Sequence, residues 1–318
     1  MYREHAIGVV VPAHNESDLI EEALTAIPDY VDAIYAIDDA STDDTANIIK
    51  NFGDRRVVFV SHATNGGVGA AIVSGYKRAL EEGIDIVAVM AGDNQMDPEQ
   101  LPRLLDPIVE RRADYTKGNR LLSPEYRTGM SRWRFAGNAI LTFLTKIGSG
   151  YWQMMDPQNG YTAISKNALE RINLDSIYPW YGYCNDLLVR LNVYGFRVVD
   201  VVMPAKYGRE KSGIRYSKYI VKVSYMLLTD FFWRLKMKYA VLSFHPLVLF
   251  YIFGIVLTPI GFLAGLYSLY YRFVVGGSLF IRLTLSFLLF IVGVQFLLFA
   301  MLFDMEVDRS ECGSGRCS

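Results

Sequence analysis

Four short polar stretches in the first third of this chain carry the residue types that bind phosphates and divalent metals. They are PAHNE (residues 12–16), DDASTD (38–43), NGGVG (65–69) and GDNQMDP (92–98). Carboxylate and amide oxygens are the ligands that Mg²⁺ prefers, and glycines let a backbone approach a ligand closely. One such stretch alone is usually only the start of a helix, but four together predict a common binding site.

Each polar stretch follows a short apolar run that is typical of a buried strand. The runs are AIGVVVPA (6–13), AIYAID (33–38), VVFVS (57–61) and IDIVAVMA (84–91). Helical segments lie between them, and their expected N-caps are Ser17, then Ser41 or Thr42, and Asp97 before Pro98. This alternation predicts a parallel, doubly wound α/β sheet. Ligands bind beyond the carboxyl ends of such strands, so all four stretches are expected on one edge.

The glycine-rich stretch excludes two common nucleotide-binding motifs. It does not match G-x-G-x-x-G, and it follows the third strand, whereas a dinucleotide fingerprint follows the first, so a dehydrogenase is disfavoured. It also lacks the lysine of a P-loop. Acidic residues beside phosphates require a divalent cation between them, so the remaining interpretation is a nucleotide site with a metal. The net charge of −1 implies no nucleic-acid partner.

In this order and spacing the four stretches resemble the inverting glycosyltransferases of family 2, with the dolichyl-phosphate mannose and glucose synthases as the nearest branch. The resemblance covers about residues 7–213. It implies a GT-A catalytic domain, an α/β fold that is Rossmann-like with a mostly parallel sheet. It also implies a nucleotide-binding set made of Pro12, Ala13, Asn15, Glu16, Asp39, Asn65, Gly69 and Asp93.

The D-x-D-x-Q segment, which in that family holds a metal on the diphosphate, is incomplete here. Its first position is Ala91, so only Asp93 and Gln95 match. These residues are two positions apart on a segment expected to be extended, so their side chains point the same way. With diphosphate and water they are predicted to hold Mg²⁺ or Mn²⁺. Asp97 precedes Pro98 and is more typical of a helix cap.

Cationic residues further along the chain are candidates for phosphate contacts. The resemblance implies such contacts for Arg120 and Arg132. Arg209 and Lys211, in YGREKSG (207–213), are expected to clamp a phosphate as a loop closes. Asn159, in DPQNGY (156–161), takes the serine position of the family's acceptor-side D-x-x-S-G-F loop. These five residues form the predicted acceptor and phosphate set.

The last candidate catalytic residue lies on a predicted amphipathic helix, YCNDLLVRLNVYG (183–195), which carries Asn185 and Asp186 at its start. In many family 2 enzymes an acid–Asp pair at this place supplies the base that deprotonates an acceptor hydroxyl. Asp186 is therefore a candidate base, and with Asp93, Arg132 and Arg209 it completes the candidate catalytic set. A helix N-cap is the other interpretation of Asp186.

Two long apolar runs, at 240–271 and 283–303, contain no Asp, Glu, Lys or Arg. About 20 residues span a bilayer at about 1.5 Å per residue, so both runs predict transmembrane helices. Six basic residues, from Arg215 to Lys238, precede the first run, whereas only Arg272 and Arg282 lie between the runs. The positive-inside rule then places the catalytic domain and both termini in the cytoplasm, with the protein in the cell membrane.

The segment just before the first apolar run, residues 215–239, mixes tyrosine, phenylalanine and tryptophan with lysine and arginine. This composition predicts an amphipathic segment lying on anionic lipid. A helix packed only on the catalytic domain is the alternative. The predicted organisation is therefore a catalytic domain at 1–214, an interfacial segment at 215–239, a two-helix transmembrane hairpin at 240–304 and a cytoplasmic tail at 305–318.

These residues lead to the hypothesis of a membrane-bound, metal-dependent hexosyltransferase. It transfers a hexose from a GDP- or UDP-linked sugar to dolichyl phosphate or another polyprenyl phosphate, with inversion. A phosphate acceptor is largely ionised near neutral pH, since its second pKa is about 6, and it needs little help from a base. The alternatives are transfer to a hydroxyl of a lipid-linked glycan or other acceptor, and an inactive membrane scaffold that binds nucleotide sugars. A homo-oligomer is left open.

Overall fold

The computed structural model describes residues 1–121, 132–204, 216–242, 244–278 and 280–313, and only the backbone of 132–136, 138, 216–218 and 309–313. The chain divides into two compact units, one from Met1 to Phe231 and a second that begins at Phe232. The division falls inside a single long helix, Tyr216–Lys236. The four-part organisation with boundaries at 214, 239 and 304 stays a prediction.

A seven-stranded sheet forms the centre of the first unit, with the order β3-β2-β1-β4-β6-β5-β7. Every neighbouring pair is parallel except the two pairs that β6 makes. The predicted mostly parallel sheet is therefore confirmed. In chain order, β1 to β7 are Ile7–Ala13, Ala33–Asp38, Val57–Ser61, Ile86–Val89, Tyr115–Asn119, Thr162–Ser165 and Val198–Val202.

Helices cover both faces of this sheet. Side chains alternate across β1, so that Val10 belongs to one buried apolar cluster and Val9 and Val11 belong to the other. In chain order, α1 to α8 are Ile20–Thr25, Thr45–Lys50, Val68–Glu81, Leu101–Val109, Arg132–Ser149, Lys166–Arg171, Tyr183–Val193 and Tyr216–Lys236. The first cluster includes residues of α3, α6 and α7. The second includes residues of α1, α2 and α4.

Two of the predicted helix starts are wrong, because the capping residues serve the loops instead. Leu19, not Ser17, precedes α1, and the Asp43 side chain accepts a hydrogen bond from the Ser17 N–H at 3.1 Å. Asp44 precedes α2 in place of either predicted residue. The predicted cap at Asp97 is confirmed, since its side chain accepts from the backbone N–H two residues on at 3.2 Å.

The helix α7 is not amphipathic as predicted, because ten of its eleven residues are buried. It packs against α5 and contributes Leu187, Leu188 and Leu191 to the first apolar cluster. The polar residues that suggested a solvated face are paired inside the protein. Asn185, for example, donates from Nδ2 to the Thr145 hydroxyl at 2.6 Å.

The second unit contains two long apolar helices, α9 at Leu247–Tyr270 and α10 at Phe280–Gly313. They pack closely: a Cβ at Gly293 would lie 2.5 Å from the backbone nitrogen of Thr258. Leu247–Val275 and Phe280–Asp308 are long and apolar enough to cross a membrane, with mean hydropathies of 2.4 and 2.5. In the most apolar 18-residue stretch of each segment, only 22% and 17% of the residues are buried. The core helices of a soluble protein are, by contrast, mostly buried.

The end of α8 is joined to α10 within the second unit by a buried ion pair. Arg234 is 0% exposed and Asp304 is 1% exposed. Two parallel hydrogen bonds of 2.9 Å join the guanidinium to the carboxylate, and the Tyr239 hydroxyl donates to the same carboxylate at 2.6 Å. These contacts pair the two buried charges with each other inside the second unit.

Candidate active site

The polar loops meet at the carboxyl edge of the sheet, where β1 lies between β2 and β4. The chain leaves β1 towards one side and returns on the other, so this is the switch point at which open α/β sheets form their ligand-binding crevice. Backbone hydrogen bonds join the loops there. Asp39 N–H donates to the Ala13 carbonyl at 2.9 Å, and Gly92 N–H donates to the Pro12 carbonyl at 3.2 Å. Pro12 and Ala13, both predicted to bind nucleotide, are buried as the last residues of β1.

Asp39 is the centre of the predicted nucleotide-binding set, and its carboxylate holds the glycine loop. It is 3% exposed. Its Oδ1 accepts from the Gly66 N–H at 2.9 Å and from His62 Nδ1 at 2.7 Å, and its Oδ2 accepts from the Gly67 N–H at 2.7 Å. The other ring nitrogen of His62 contacts the Ser74 hydroxyl on α3 at 2.9 Å. The glycine loop is thus fixed over the end of β2.

His14 joins three of the loops, although sequence reasoning passed over it. Its Nδ1 lies 2.9 Å from the Asp39 carbonyl oxygen. Because a carbonyl can only accept, the ring proton is on Nδ1, and Nε2 accepts from the side-chain amides of Asn15 at 3.3 Å and Asn65 at 3.1 Å. His62 was passed over as well. Their positions in the sequence could have identified both histidines, because each directly follows a predicted strand.

Asn15 and Glu16 connect the loop after β1 to the loop after β2. Asn15 has a positive φ of 57°, and its side-chain oxygen accepts from the Thr42 N–H at 2.8 Å. Glu16 N–H donates to the Thr45 hydroxyl at 2.8 Å. In the same loop, burial would raise the pKa of Asp43, but hydrogen bonds from Thr45 and Ser17 lower it to about 2. The predicted residues thus support one another's loops.

Gly69 is required by packing at the start of α3. A Cβ there would overlap the Tyr178 carbonyl oxygen and lie 2.9 Å from the carbonyl carbon of Pro179. Ala70 N–H donates to the Pro179 carbonyl at 3.1 Å. The residue predicted to bind nucleotide therefore lies against the segment that leads into α7.

Asp93 and Gln95 lie in a turn, so the predicted extended segment is wrong. Asn94 between them has a φ of 54°, and the Asp93 Oδ1 accepts from the Gln95 N–H at 3.0 Å. The Asp93 Oδ2 accepts no hydrogen bond from the part of the chain that the structure describes. This oxygen is a hard ligand at the edge of the crevice.

The side-chain oxygens of Asp93 and Gln95 fit a metal ion that binds together with a phosphate ligand. Within the described ranges no three His, Cys, Asp or Glu side chains lie close enough to form a complete metal site. Mg²⁺ is usually bound by one or two carboxylates together with substrate phosphates and water. The half-used carboxylate of Asp93 and the amide of Gln95 meet that requirement only with a diphosphate present.

Arg120 and Asn159, predicted to contact the acceptor, are engaged within the protein. The guanidinium Nε of Arg120 lies 2.8 Å from Asp156, a carboxylate that is 0% exposed, so its charge is already balanced. The Asn159 carbonyl accepts from the Nζ of Lys117, a fully buried lysine whose pKa is lowered by burial. Arg132 begins α5, but its side chain is not described. The predictions for Arg209 and Lys211 lie outside the described residues.

Asp186 is closed off from the crevice. It is 2% exposed, its Oδ1 lies 3.0 Å from Arg190 Nη2, and its Oδ2 accepts from the Tyr178 N–H at 2.6 Å. Burial raises the pKa of Asp186, although Arg190 opposes this effect. The N-cap of α7 is Gly182, so the capping interpretation of Asp186 is wrong. The base assignment stays a prediction, and this geometry does not favour it.

Comparison with known proteins is consistent with this geometry. Residues 8–172 match the family model described as glycosyl transferase family 2. The UDP-N-acetylglucosamine–dolichyl-phosphate N-acetylglucosaminyltransferase of Methanococcus voltae is 29% identical over 198 residues, which cover 58% of this chain and 78% of that protein. The polyprenol monophosphomannose synthase of Mycolicibacterium smegmatis is 30% identical over 222 residues, which cover 65% and 78%.

A solved structure shows the same fold. The glucosyl-3-phosphoglycerate synthase of Mycobacterium tuberculosis, crystallised with Mn²⁺, uridine diphosphate and glucosyl-3-phosphoglycerate, aligns with a TM-score of 0.53. The alignment covers 73% of this chain and 80% of that chain at 23% identity. At this identity the likeness supports the GT-A-like α/β fold alone.

Proposed function

Because this chain belongs to glycosyl transferase family 2, we propose that it transfers a hexose from a nucleoside diphosphate sugar to a polyprenyl phosphate such as dolichyl phosphate. The transfer inverts the configuration at the anomeric carbon. The observation that carries the proposal is that a family 2 domain and two apolar helices of membrane-spanning length occur in one chain. Two relatives named above act on dolichyl phosphate and on a polyprenol phosphate, which supports the same acceptor class.

The loops around β1 would hold the donor. His14, Asn15 and Asp39 fix the loops on one side of the crevice, and Asp93 lies on the other side after β4. A divalent ion held by Asp93 and Gln95 would neutralise the leaving nucleoside diphosphate. The Mn²⁺ in the crystallised relative supports a metal of this kind. Asp93 therefore serves to position the diphosphate with its sugar directed into the crevice.

A phosphate acceptor suits the chemistry of the described residues. A phosphate monoester is mostly ionised near neutral pH, since its second pKa is about 6, and attacks without a strong general base. Asp186, the candidate base, is buried and paired with Arg190. A hydroxyl acceptor would need an accessible base, and Asp186 does not offer one.

The acceptor's isoprenoid chain would lie along α8. A groove with a cavity volume of about 520 Å³ and a mostly apolar lining runs beside this helix, and is lined by Tyr178, Val221, Lys222, Tyr225, Met226, Thr229 and Asp230. Val221, Tyr225 and Leu228 are exposed on the same helix, at 70%, 73% and 55%. Apolar and aromatic side chains beside an exposed lysine are typical of a segment at a lipid surface.

We further propose that α9 and α10 cross the cell membrane and that the catalytic domain and both termini are cytoplasmic. The mostly exposed apolar surface of the two helices supports the first part. The excess of basic residues before α9 over those between the helices supports the second part.

The proposal is tested with the full chain reconstituted in vesicles that contain dolichyl phosphate and Mg²⁺. We expect radiolabel from a nucleoside diphosphate hexose to enter the lipid fraction. Dolichol, which has the same chain and no phosphate, is the matched control and should accept no label. Label on dolichol or on a lipid-linked glycan, but not on dolichyl phosphate, would establish a hydroxyl acceptor instead. Nucleotide binding with no transfer to any acceptor would indicate a scaffold.

A further inference from the structure

We infer that the donor is a uridine diphosphate sugar and not a guanosine diphosphate sugar, because Asp39 can accept only one hydrogen bond from a base. This inference rests on the proposed function, since it assumes that the crevice binds a nucleoside diphosphate. It follows from counting the donors that already contact Asp39 and from the place where a base would lie.

The carboxylate of Asp39 has one acceptor position left. An ionised carboxylate accepts about four hydrogen bonds, two on each oxygen. Oδ1 already accepts from the Gly66 N–H at 2.9 Å and from His62 at 2.7 Å, and Oδ2 accepts from the Gly67 N–H at 2.7 Å. Oδ1 is therefore full, and Oδ2 can take one further donor.

None of the three donors is free to leave. Two are backbone N–H groups of the loop that leads into α3, and a Cβ at Gly67 would lie 2.6 Å from the Pro179 carbonyl, so this loop is tightly confined. The third, His62, is fixed from its other side by Ser74 on α3 at 2.9 Å. Displacing them would disturb the loop that leads into α3 and the contact of His62 with Ser74.

The base of a bound nucleotide would lie on the Asp39 side of the crevice. Asp93 follows β4, on one side of β1, and its half-used carboxylate marks the position of the metal and diphosphate. On the other side of β1, the loop after β1 presents the exposed His14 and Asn15, and the loop after β3 presents the exposed Asn65, around Asp39. A nucleoside extending from the diphosphate therefore reaches the end of β2.

Uracil and guanine differ in the number of N–H groups that they offer to a carboxylate. Uracil has one, at N3, between two carbonyl groups. Guanine presents N1–H and the N2 amino group side by side, a pair that requires both carboxylate oxygens. With Oδ1 of Asp39 full, one of the two guanine donors would find no acceptor position on this carboxylate, which disfavours binding. Cytosine has no N–H at N3 and carries its amino donor at C4, away from the position of the uracil N3–H.

The test measures nucleotide binding to the detergent-solubilised full chain in saturating Mg²⁺ by isothermal titration calorimetry. We expect UDP to bind at least about tenfold more tightly than GDP or CDP, as a site built to pair with one N–H discriminates strongly. N3-methyl-UDP, which lacks that donor, should bind at least about tenfold more weakly than UDP. The matched control is 5-methyl-UDP, which carries a methyl group elsewhere on the ring, keeps N3–H and should bind like UDP.

The outcomes separate this inference from the proposed function. If GDP binds as tightly as UDP and a GDP-linked hexose is transferred to dolichyl phosphate, the inference is overturned and the proposed function stands. Equal affinity for UDP and N3-methyl-UDP would show that Asp39 does not contact the base and would also overturn it. If no nucleoside diphosphate binds at all, the proposed function fails and the inference fails with it.

Discussion

Among single residues, hydrogen-bond partners decide which of the predicted site residues can still contact a ligand. Arg120 and Asp186 have residue types suited to catalysis, yet each is paired with an oppositely charged side chain inside the protein. Among the described residues Asp93 makes only a local hydrogen bond to the turn that it starts, at 3.0 Å, and its Oδ2 accepts none. Residues of types suited to catalysis therefore differ in whether they can still bind a ligand. This difference leads to two predictions.

We expect Asp93→Ala to lower sugar transfer by about 10²-fold or more, since a lost electrostatic contact to developing charge typically costs that much. The melting temperature should not change, because the side chain lies at the edge of the crevice. The measurement is the transfer rate at saturating donor and Mg²⁺. Asp97→Ala is the matched control: it removes a helix cap, should cost about 1 kcal/mol of stability and should keep its activity. Activity of Asp93→Ala within a few-fold of wild type would contradict the metal assignment.

Asp186→Asn should lower stability more than rate. It would leave Arg190, a side chain that is 14% exposed, without its carboxylate partner, and breaking a buried pair costs about 3–5 kcal/mol. Chemical denaturation of Asp186→Asn, Arg190→Met and the double variant measures the coupling between the two residues. A rate loss of about 10³-fold with unchanged stability would instead identify Asp186 as a catalytic base and favour a hydroxyl acceptor.

At the scale of secondary-structure elements, close contacts between a helix and its neighbour decide the shape of the crevice. The first turn of α3 touches the segment at Tyr178 and Pro179, and that segment is held in turn by Asp186 on α7. The glycine loop and the start of α7 are therefore connected through this segment. A substitution at this contact should weaken nucleotide binding, although it alters no side chain that faces the nucleotide site.

Gly69→Ala should lower the free energy of unfolding by about 1–3 kcal/mol and weaken nucleotide binding, because the added Cβ overlaps the Tyr178 carbonyl. Denaturant unfolding and nucleotide titration measure the two effects. Gly53→Ala is the matched control, as a Cβ there meets nothing within 4 Å. Wild-type stability for Gly69→Ala would show that the segment before α7 is free to shift.

The contact of α8 with α7 should make stability depend on pH through Asp230. Burial, and then the nearby Asp186, raise the pKa of Asp230 to about 7, although Arg190 opposes them. Its Oδ2 is buried with no hydrogen-bond partner among the described residues. Between its usual pKa of 3.8 and about 7 the folded state holds a proton that the unfolded state has lost. The contribution of this residue to stability therefore falls as pH rises through that range.

Asp230→Asn removes this titration. We expect the melting temperature of Asp230→Asn, relative to wild type, to rise between about pH 4 and pH 7, the range between the usual and the raised pKa of Asp230. Glu22→Gln, an exposed change on α1, is the control and should show no such trend. A difference between Asp230→Asn and wild type that is constant across the range would mean that Asp230 is ionised throughout.

At the scale of the whole molecule, the two apolar helices determine where the enzyme acts. Large apolar side chains such as Phe262, Phe280 and Ile281 are exposed by 54%, 79% and 77%, which is unfavourable in water and favourable in a bilayer. Small residues at the contact of α9 and α10 let the helices pack closely, as membrane helices do. Under the proposed function, the helices would anchor a domain whose donor is water-soluble beside an acceptor that is not.

Truncation after Lys238 should leave a folded domain that binds nucleotide with unchanged affinity. It should transfer poorly to dolichyl phosphate in vesicles, because the anchor no longer raises the local concentration of enzyme at the membrane. A short-chain, water-soluble polyprenyl phosphate is the matched acceptor, and the truncated and full chains should use it equally. Equal rates on the vesicle-embedded acceptor would show that transfer to a membrane acceptor does not depend on α9 and α10.

Local sequence was sufficient for the alternating framework of the first unit. The strands Ala33–Asp38 and Val57–Ser61 occur at their predicted bounds, because short apolar runs between polar loops form buried parallel strands wherever they are placed. The two apolar runs near the carboxyl end likewise formed long helices without further information. The order of the polar stretches was enough to predict the family.

Only the tertiary structure decided what each polar side chain contacts. Asp39 meets its three partners 23, 27 and 28 residues away, and Arg120 meets Asp156 at a separation of 36. The burial of α7 likewise depends on α5 and the sheet, so its sequence alone predicted a solvated face. Hydrophobic periodicity reports which face of one element is apolar, but a hydrogen bond between distant loops depends on how the elements pack, and periodicity carries no record of that.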